Sequence, residues 1–98
     1  MALEVYWSIQ ADKRFDAILL YLEKEWGEKS VTAFVKEVYE LIGILSQFPE
    51  IGIVEYPKAN IRAIVIVKQV SLFYQVRANK IIILNFFDNR QKQKKKRF

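Results

Sequence analysis

Three runs rich in β-branched and aromatic residues, at residues 61–67, 70–77 and 80–87, follow one another with only Lys68-Gln69 and Ala78-Asn79 between them. Breaks this short admit only tight turns, so the runs are predicted to be neighbours in an antiparallel meander of two hairpins. Asn79 suits a left-handed turn position. Everything upstream has to be arranged around that sheet.

Residues 3–9 alternate loosely and carry Val5, Tyr6, Trp7 and Ile9, which reads as a first strand. Asp12 is a plausible N-cap for a helix over 13–26, with Phe15, Ile18, Leu19, Leu22 and Trp26 on one face and Gly27 as its stop. Ser30 can cap a second helix carrying Val31, Phe34, Val35, Val38, Leu41, Ile42 and Leu45, which Phe48-Pro49 ends. The short joint at 27–30 makes the pair an antiparallel hairpin. Residues 50–60 contain Gly52 and Pro57 and read as a loop, with a brief strand at 53–56 as an option. The predicted fold is α+β in the order β-α-α-β-β-β, a mainly antiparallel twisted sheet with an α-helical hairpin packed on one face.

Composition narrows the chemistry. A chain of 98 residues with 52% hydrophobic content can bury one modest core, so a single domain with appendages is expected. It has no cysteine and no histidine, which removes disulfides, thiolate nucleophiles and histidine acid/base pairs. No metal or other cofactor is expected. There is no signal-peptide pattern at the start and no apolar stretch long enough to span a bilayer, so a cytoplasmic location without membrane contact is expected.

The net charge of +5 is unevenly placed. Arg90, Lys92, Lys94, Lys95, Lys96 and Arg97 lie in the last nine residues with no acid among them, leaving ten basic against eleven acidic side chains before them. The chain therefore divides into a near-neutral domain, 1–89, and a basic tail, 90–98. The tail is suited to DNA, RNA or an acidic partner segment by counterion release, and equally to a solubilising role.

Strict alternation in the strands sets Ile61, Ala63, Val65 and Val67 against Ile64 and Ile66 beside Arg62. It likewise sets Ile81, Ile83 and Phe87 against Ile82, Leu84 and Phe86. Two helices cover one face of such a sheet, so Ile64, Ile66, Ile82, Leu84 and Phe86 are expected to meet a protein partner or a second copy in a homodimer.

This order of elements resembles the RelE/ParE superfamily of toxins from type II toxin-antitoxin modules. The strings that carry the likeness are Trp26-Gly27, Phe48-Pro49-Glu50-Ile51-Gly52, Ile61-Arg62, Leu72-Phe73-Tyr74-Gln75-Val76, and Ile82-Ile83-Leu84 running toward Asp88-Asn89-Arg90-Gln91. The resemblance covers nearly the whole chain. It implies a plasmid-stabilisation type of toxin, neutralised by a cognate antitoxin segment that wraps it.

Members that resemble RelE cleave ribosome-bound mRNA with a cluster of strand cations, because cleavage needs a base for the 2′-OH and positive charge for the phosphate. Here Arg62 matches one such position, whereas Ile64, Ser71 and Gln91 stand where further cations or their neighbours would be expected. The departures favour the ParE-like branch, associated with poisoning DNA gyrase, and lean against an enzyme. The alternatives are a histidine-free mRNA endonuclease acting at the ribosome and a non-toxic relic that only binds antitoxin.

Arg62 is the one catalytic candidate and, with the tail cations, the candidate contact to target or nucleic acid; its bland reading is a solubilising charge on an edge strand. Trp26 is expected in the core, Tyr6, Trp7 and Tyr74 in ordinary strand packing, and Glu37 and Glu40 on a solvated helix face.

Overall fold

The computed structural model describes residues 2–88. A short first strand, β1 (Glu4–Trp7), leads into α1 (Ile9–Trp26) and α2 (Glu28–Gln47), followed by β2 (Ile53–Tyr56), a 3-10 turn at Pro57–Ala59, β3 (Ile61–Val67), β4 (Val70–Arg77) and β5 (Lys80–Asp88). The five strands form one sheet in the order β1-β5-β4-β3-β2. All pairs are antiparallel except β1 with β5. The meander and the helical hairpin are as the sequence predicts, and the optional segment at 53–56 is a fifth, outer strand.

Helix boundaries differ from the sequence reading, for a local reason. Ser8, not Asp12, caps α1: its hydroxyl accepts from Ala11 N–H at 3.0 Å and donates to the Leu84 carbonyl at 2.9 Å. The Ser8 N–H also bonds the Ile83 carbonyl, so the cap is fastened to β5 and the helix starts as the strand ends. At the other end Gly27, at φ +94°, stops α1 and precedes α2 directly. Its N–H bonds the Leu22 and Glu23 carbonyls, and Ser30 lies inside the second helix. With a one-residue joint the helices fold back on each other, bringing Phe15 of α1 against Phe34 and Tyr39 of α2 at ring separations of 6.0 and 6.5 Å.

The core lies between this hairpin and the sheet. Ala11, Phe34, Val38, Ile42 and Leu45 from the helices meet Leu72, Tyr74, Ile81, Ile83 and Phe86 from the central strands. Strict alternation would turn Phe86 away from the helices. A bulge prevents this: Phe73 pairs with Asn85 while Tyr74 pairs with Ile83, leaving Leu84 as an extra residue on β5. Beyond the bulge the parity reverses, so Phe86 joins Ile81 and Ile83, and Phe87 goes to the opposite face, where its ring meets Phe73 edge-on at 4.9 Å.

The face away from the helices is less open than alternation suggests. Phe73, Ser71 and Asn85 on its central strands are buried, whereas Ile53 and Val65 toward the β2 edge are exposed. Among the described residues, no helix is long and apolar enough to cross a membrane.

Candidate functional site

Arg62 does not lie on an edge strand. β3 runs between β2 and β4, with Arg62 paired to Val54 on one side and Tyr74 on the other. Its Nη1 donates to the Glu50 carbonyl at 2.9 Å and the Gly52 carbonyl at 2.8 Å. The Nε is buried without a partner. Tyr74, fully buried, donates to the Pro49 carbonyl at 2.8 Å and accepts from Gly52 N–H at 3.0 Å. Together the two side chains latch the 48–52 loop to the sheet. Gly52 is required by the close approach, since a Cβ there would stand 2.6 Å from the Tyr74 hydroxyl and 3.0 Å from the Ala63 carbonyl.

This arrangement bears on the catalytic candidate. Two of the donors of Arg62 are held by backbone carbonyls, which limits what its charge can offer a phosphate. The titratable side chain paired with it is Tyr74, whose pKa is raised by burial, against the smaller lowering effects of the Gly52 hydrogen bond and the Arg62 charge. A phenol held protonated in this way is a poor general base near neutral pH.

The same shift gives a testable pH dependence. Because burial raises the folded-state pKa of Tyr74 above its ordinary value, its contribution to stability is complete below about pH 10 and is lost as pH rises through the folded value. Tyr74→Phe is expected to destabilise the domain by about 1–3 kcal/mol at neutral pH by orphaning Gly52 N–H and the Pro49 carbonyl. It should also flatten this component of the alkaline limb, as read by urea denaturation between pH 8 and 11.

A second feature lies at the other end of the molecule. A cleft of about 760 Å³ opens between α1, the start of α2 and the β3–β4 turn. Ile18, Tyr21, Leu22 and Trp26 line one wall, Phe34 the floor, and Val67 and Val70 the other wall, with Arg14 and Asp88 as charged groups at its margin. Trp26, expected in the core, is 71% exposed here. At the last position of α1 it borders the cleft instead of packing beneath the helices. Sequence reasoning did not single out this site. The available signal was the excess width of the apolar stripe on α1, where the doublets Ile18-Leu19 and Tyr21-Leu22 exceed what one buried face needs.

The other predicted residues are dispersed. Ile64 and Ile66 pack on the helix-facing core and Phe86 is inside it, whereas Ile82 and Leu84 are half-buried, with Ile82 paired to Gln75 on the opposite face. These five are therefore divided between two faces: pairing through β4 sets Ile64, opposite Leu72, on the other face from Ile82, opposite Gln75, and the β5 bulge brings Phe86 to the helix side. Arg90, Lys92, Lys94, Lys95, Lys96 and Arg97 lie outside the described residues. Among the described residues, no group of acidic side chains is placed to hold a metal ion.

A five-stranded sheet with a helical hairpin on one face and an apolar cleft beside α1 defines a small α+β domain. Residues 5–93 match the family model for the ParE toxin of the type II toxin-antitoxin system parDE, and the chain belongs to that family. Among solved structures, the chain is similar to the chromosomal ParDE system of P. aeruginosa, with a TM-score of 0.74, 21% identity, and 89% of this chain and 96% of that one covered. It is also similar to a YoeB/ParE toxin from Agrobacterium tumefaciens (TM-score 0.64, 11% identity, 88% and 98% covered). A third likeness is to the toxin-antitoxin complex RelBE2 from Mycobacterium tuberculosis (TM-score 0.60, 15% identity, 90% and 99% covered). No curated protein matches the sequence.

Proposed function

We propose that this toxin acts in the cytoplasm by binding a cellular target such as DNA gyrase, without catalysing a reaction, and that a cognate antitoxin holds it inactive. The observation that carries the binding reading is the engagement of Arg62 with the carbonyls of Glu50 and Gly52, beside a tyrosine kept protonated by burial. An RNA-cleaving centre needs a free cation and a base poised near neutrality, and this arrangement supplies neither. The basic tail is the segment with the charge to meet nucleic acid alongside such a target.

The antitoxin is assigned to the cleft beside α1. An amphipathic segment laying two or three apolar side chains against Ile18, Leu22 and Trp26 buries surface that is otherwise in water, and an acidic residue at its margin complements Arg14. Parallel assays test the reading: supercoiling by purified gyrase, and mRNA integrity in a translating extract, each with the purified full chain added. Loss of supercoiling with intact mRNA is expected. Codon-linked cleavage with normal supercoiling would select the ribosome-dependent endonuclease, and silence in both would select a relic that only binds antitoxin.

A further inference from the structure

The face of the sheet away from the helices is closed where β5 ends and open toward β2. Ser71 is 8% exposed, Phe73 1% and Asn85 0%, whereas Val65, the cross-strand partner of Ser71, is 59% exposed and Ile53 on β2 73%. Paired residues point to the same side of a sheet, so Ser71 and Val65 would be similarly wet on a bare face. A single edge-on ring, Phe87 at 4.9 Å, covers part of Phe73 and cannot seal it. Both helices pack on the other side of the sheet. The 3-10 turn reaches this face toward the opposite end of β4, where the Gln75 amide donates to the Ala59 carbonyl. Gln69 of the β3–β4 turn lines the cleft on the helix side, and the start of the chain is fastened to α2 by the Leu3 N–H on the Ser46 carbonyl. The patch is nevertheless buried within a single copy of the chain.

We propose that residues 89–98, which continue from β5 and lie outside the described residues, fold back over this patch, with Phe98 packed against the Phe73–Phe87 pair. Asp88 pairs with Val70, one position from Ser71 and Phe87, so the segment leaves the sheet at the border of the patch. Phe73, paired with Asn85, lies about 10 Å back along the strands, and ten extended residues reach about 33 Å, which leaves length for a reversal. Within 89–98, Phe98 is the single apolar residue. The rest of the cover comes from lysine and arginine stems, which lie along apolar surface while their charged ends stay in water. The second face that strand alternation assigns to a partner or a second copy is, in this part, closed by the chain itself. The tail's cations then line the sheet side of the molecule, away from the helices.

The chain has no cysteine, so single thiols report the cover on the full-length protein. Ser71→Cys should react with Ellman's reagent at least about tenfold more slowly than Val65→Cys. Adding Phe98→Ala should accelerate the Ser71→Cys thiol about tenfold and leave Val65→Cys unchanged. Proton NMR supplies a readout that needs no substitution: the ring protons of Phe98 should show cross-relaxation with those of Phe73 and Phe87 within one molecule. Equal labelling of the two thiols, an unchanged Ser71→Cys rate after Phe98→Ala, or absent ring cross-peaks would overturn the proposal. So would Phe98 contacts that arise only between differently labelled copies, which would give the cover to a second chain.

Discussion

Replacing Phe86 with Ala is expected to destabilise the domain by about 3–5 kcal/mol, the cost of emptying a large aromatic site in a closed core. The ring is fully buried and touches two others, with centroids 5.6 Å from Trp7 and 5.5 Å from Phe15. Those contacts join β1 and α1 to the centre of the sheet, so no single neighbour can collapse into the space. Phe87 supplies the comparison: it is half-buried on the opposite face, and its truncation should cost clearly less. Denaturant unfolding of the two variants reads the difference, and equal losses would contradict the assignment of faces made by the bulge at Leu84.

The second large effect concerns binding. Trp26→Ala removes a side chain that is mostly in water, so folding stability should change by no more than about 0.5 kcal/mol. If the cleft is where the antitoxin docks, the same change should weaken antitoxin binding by about 2 kcal/mol, roughly thirty-fold, as expected for a tryptophan anchor at the centre of an interface. Calorimetry with the cognate antitoxin, paired with thermal unfolding of the free toxin, separates the two quantities. Unaltered affinity would move the antitoxin off this cleft.

How much of this was legible in the sequence depended on whether local rules governed each feature. The meander followed from two-residue breaks, and the helical hairpin from periodicity and Gly27, because turn chemistry and helix period are local. The position of Phe86 was not legible. Alternation is a parity count, and one unpaired residue at Leu84 reverses every position after it. The cap at Ser8 is not legible locally, because it is fastened by the carbonyls of Ile83 and Leu84, the latter 76 residues away in the chain.

The candidate site shows the same division. Arg62 reads as an edge-strand cation as long as residues 53–56 are not a strand, and the strand outside it is what brings the Glu50 and Gly52 carbonyls within reach. Trp26 reads as core because the apolar stripe of α1 gives the direction of a side chain but not whether an open cleft lies beneath it. Alternation alone puts Ile64, Ile66, Ile82, Leu84 and Phe86 on one antitoxin-facing side only if β3 and β5 share a register that the sequence does not contain; pairing through β4 turns Ile64 toward the helices and Ile82 away, and the bulge at Leu84 turns Phe86 back.

Action by binding is tested by titrating the purified full chain into a fixed amount of DNA gyrase, with supercoiling rate as the readout. A binding toxin is predicted to abolish supercoiling only as its concentration approaches or exceeds that of gyrase, with activity returning when antitoxin is added. Undiminished supercoiling at large excess, together with mRNA cut by trace amounts in a translating extract, would rule out action by binding gyrase.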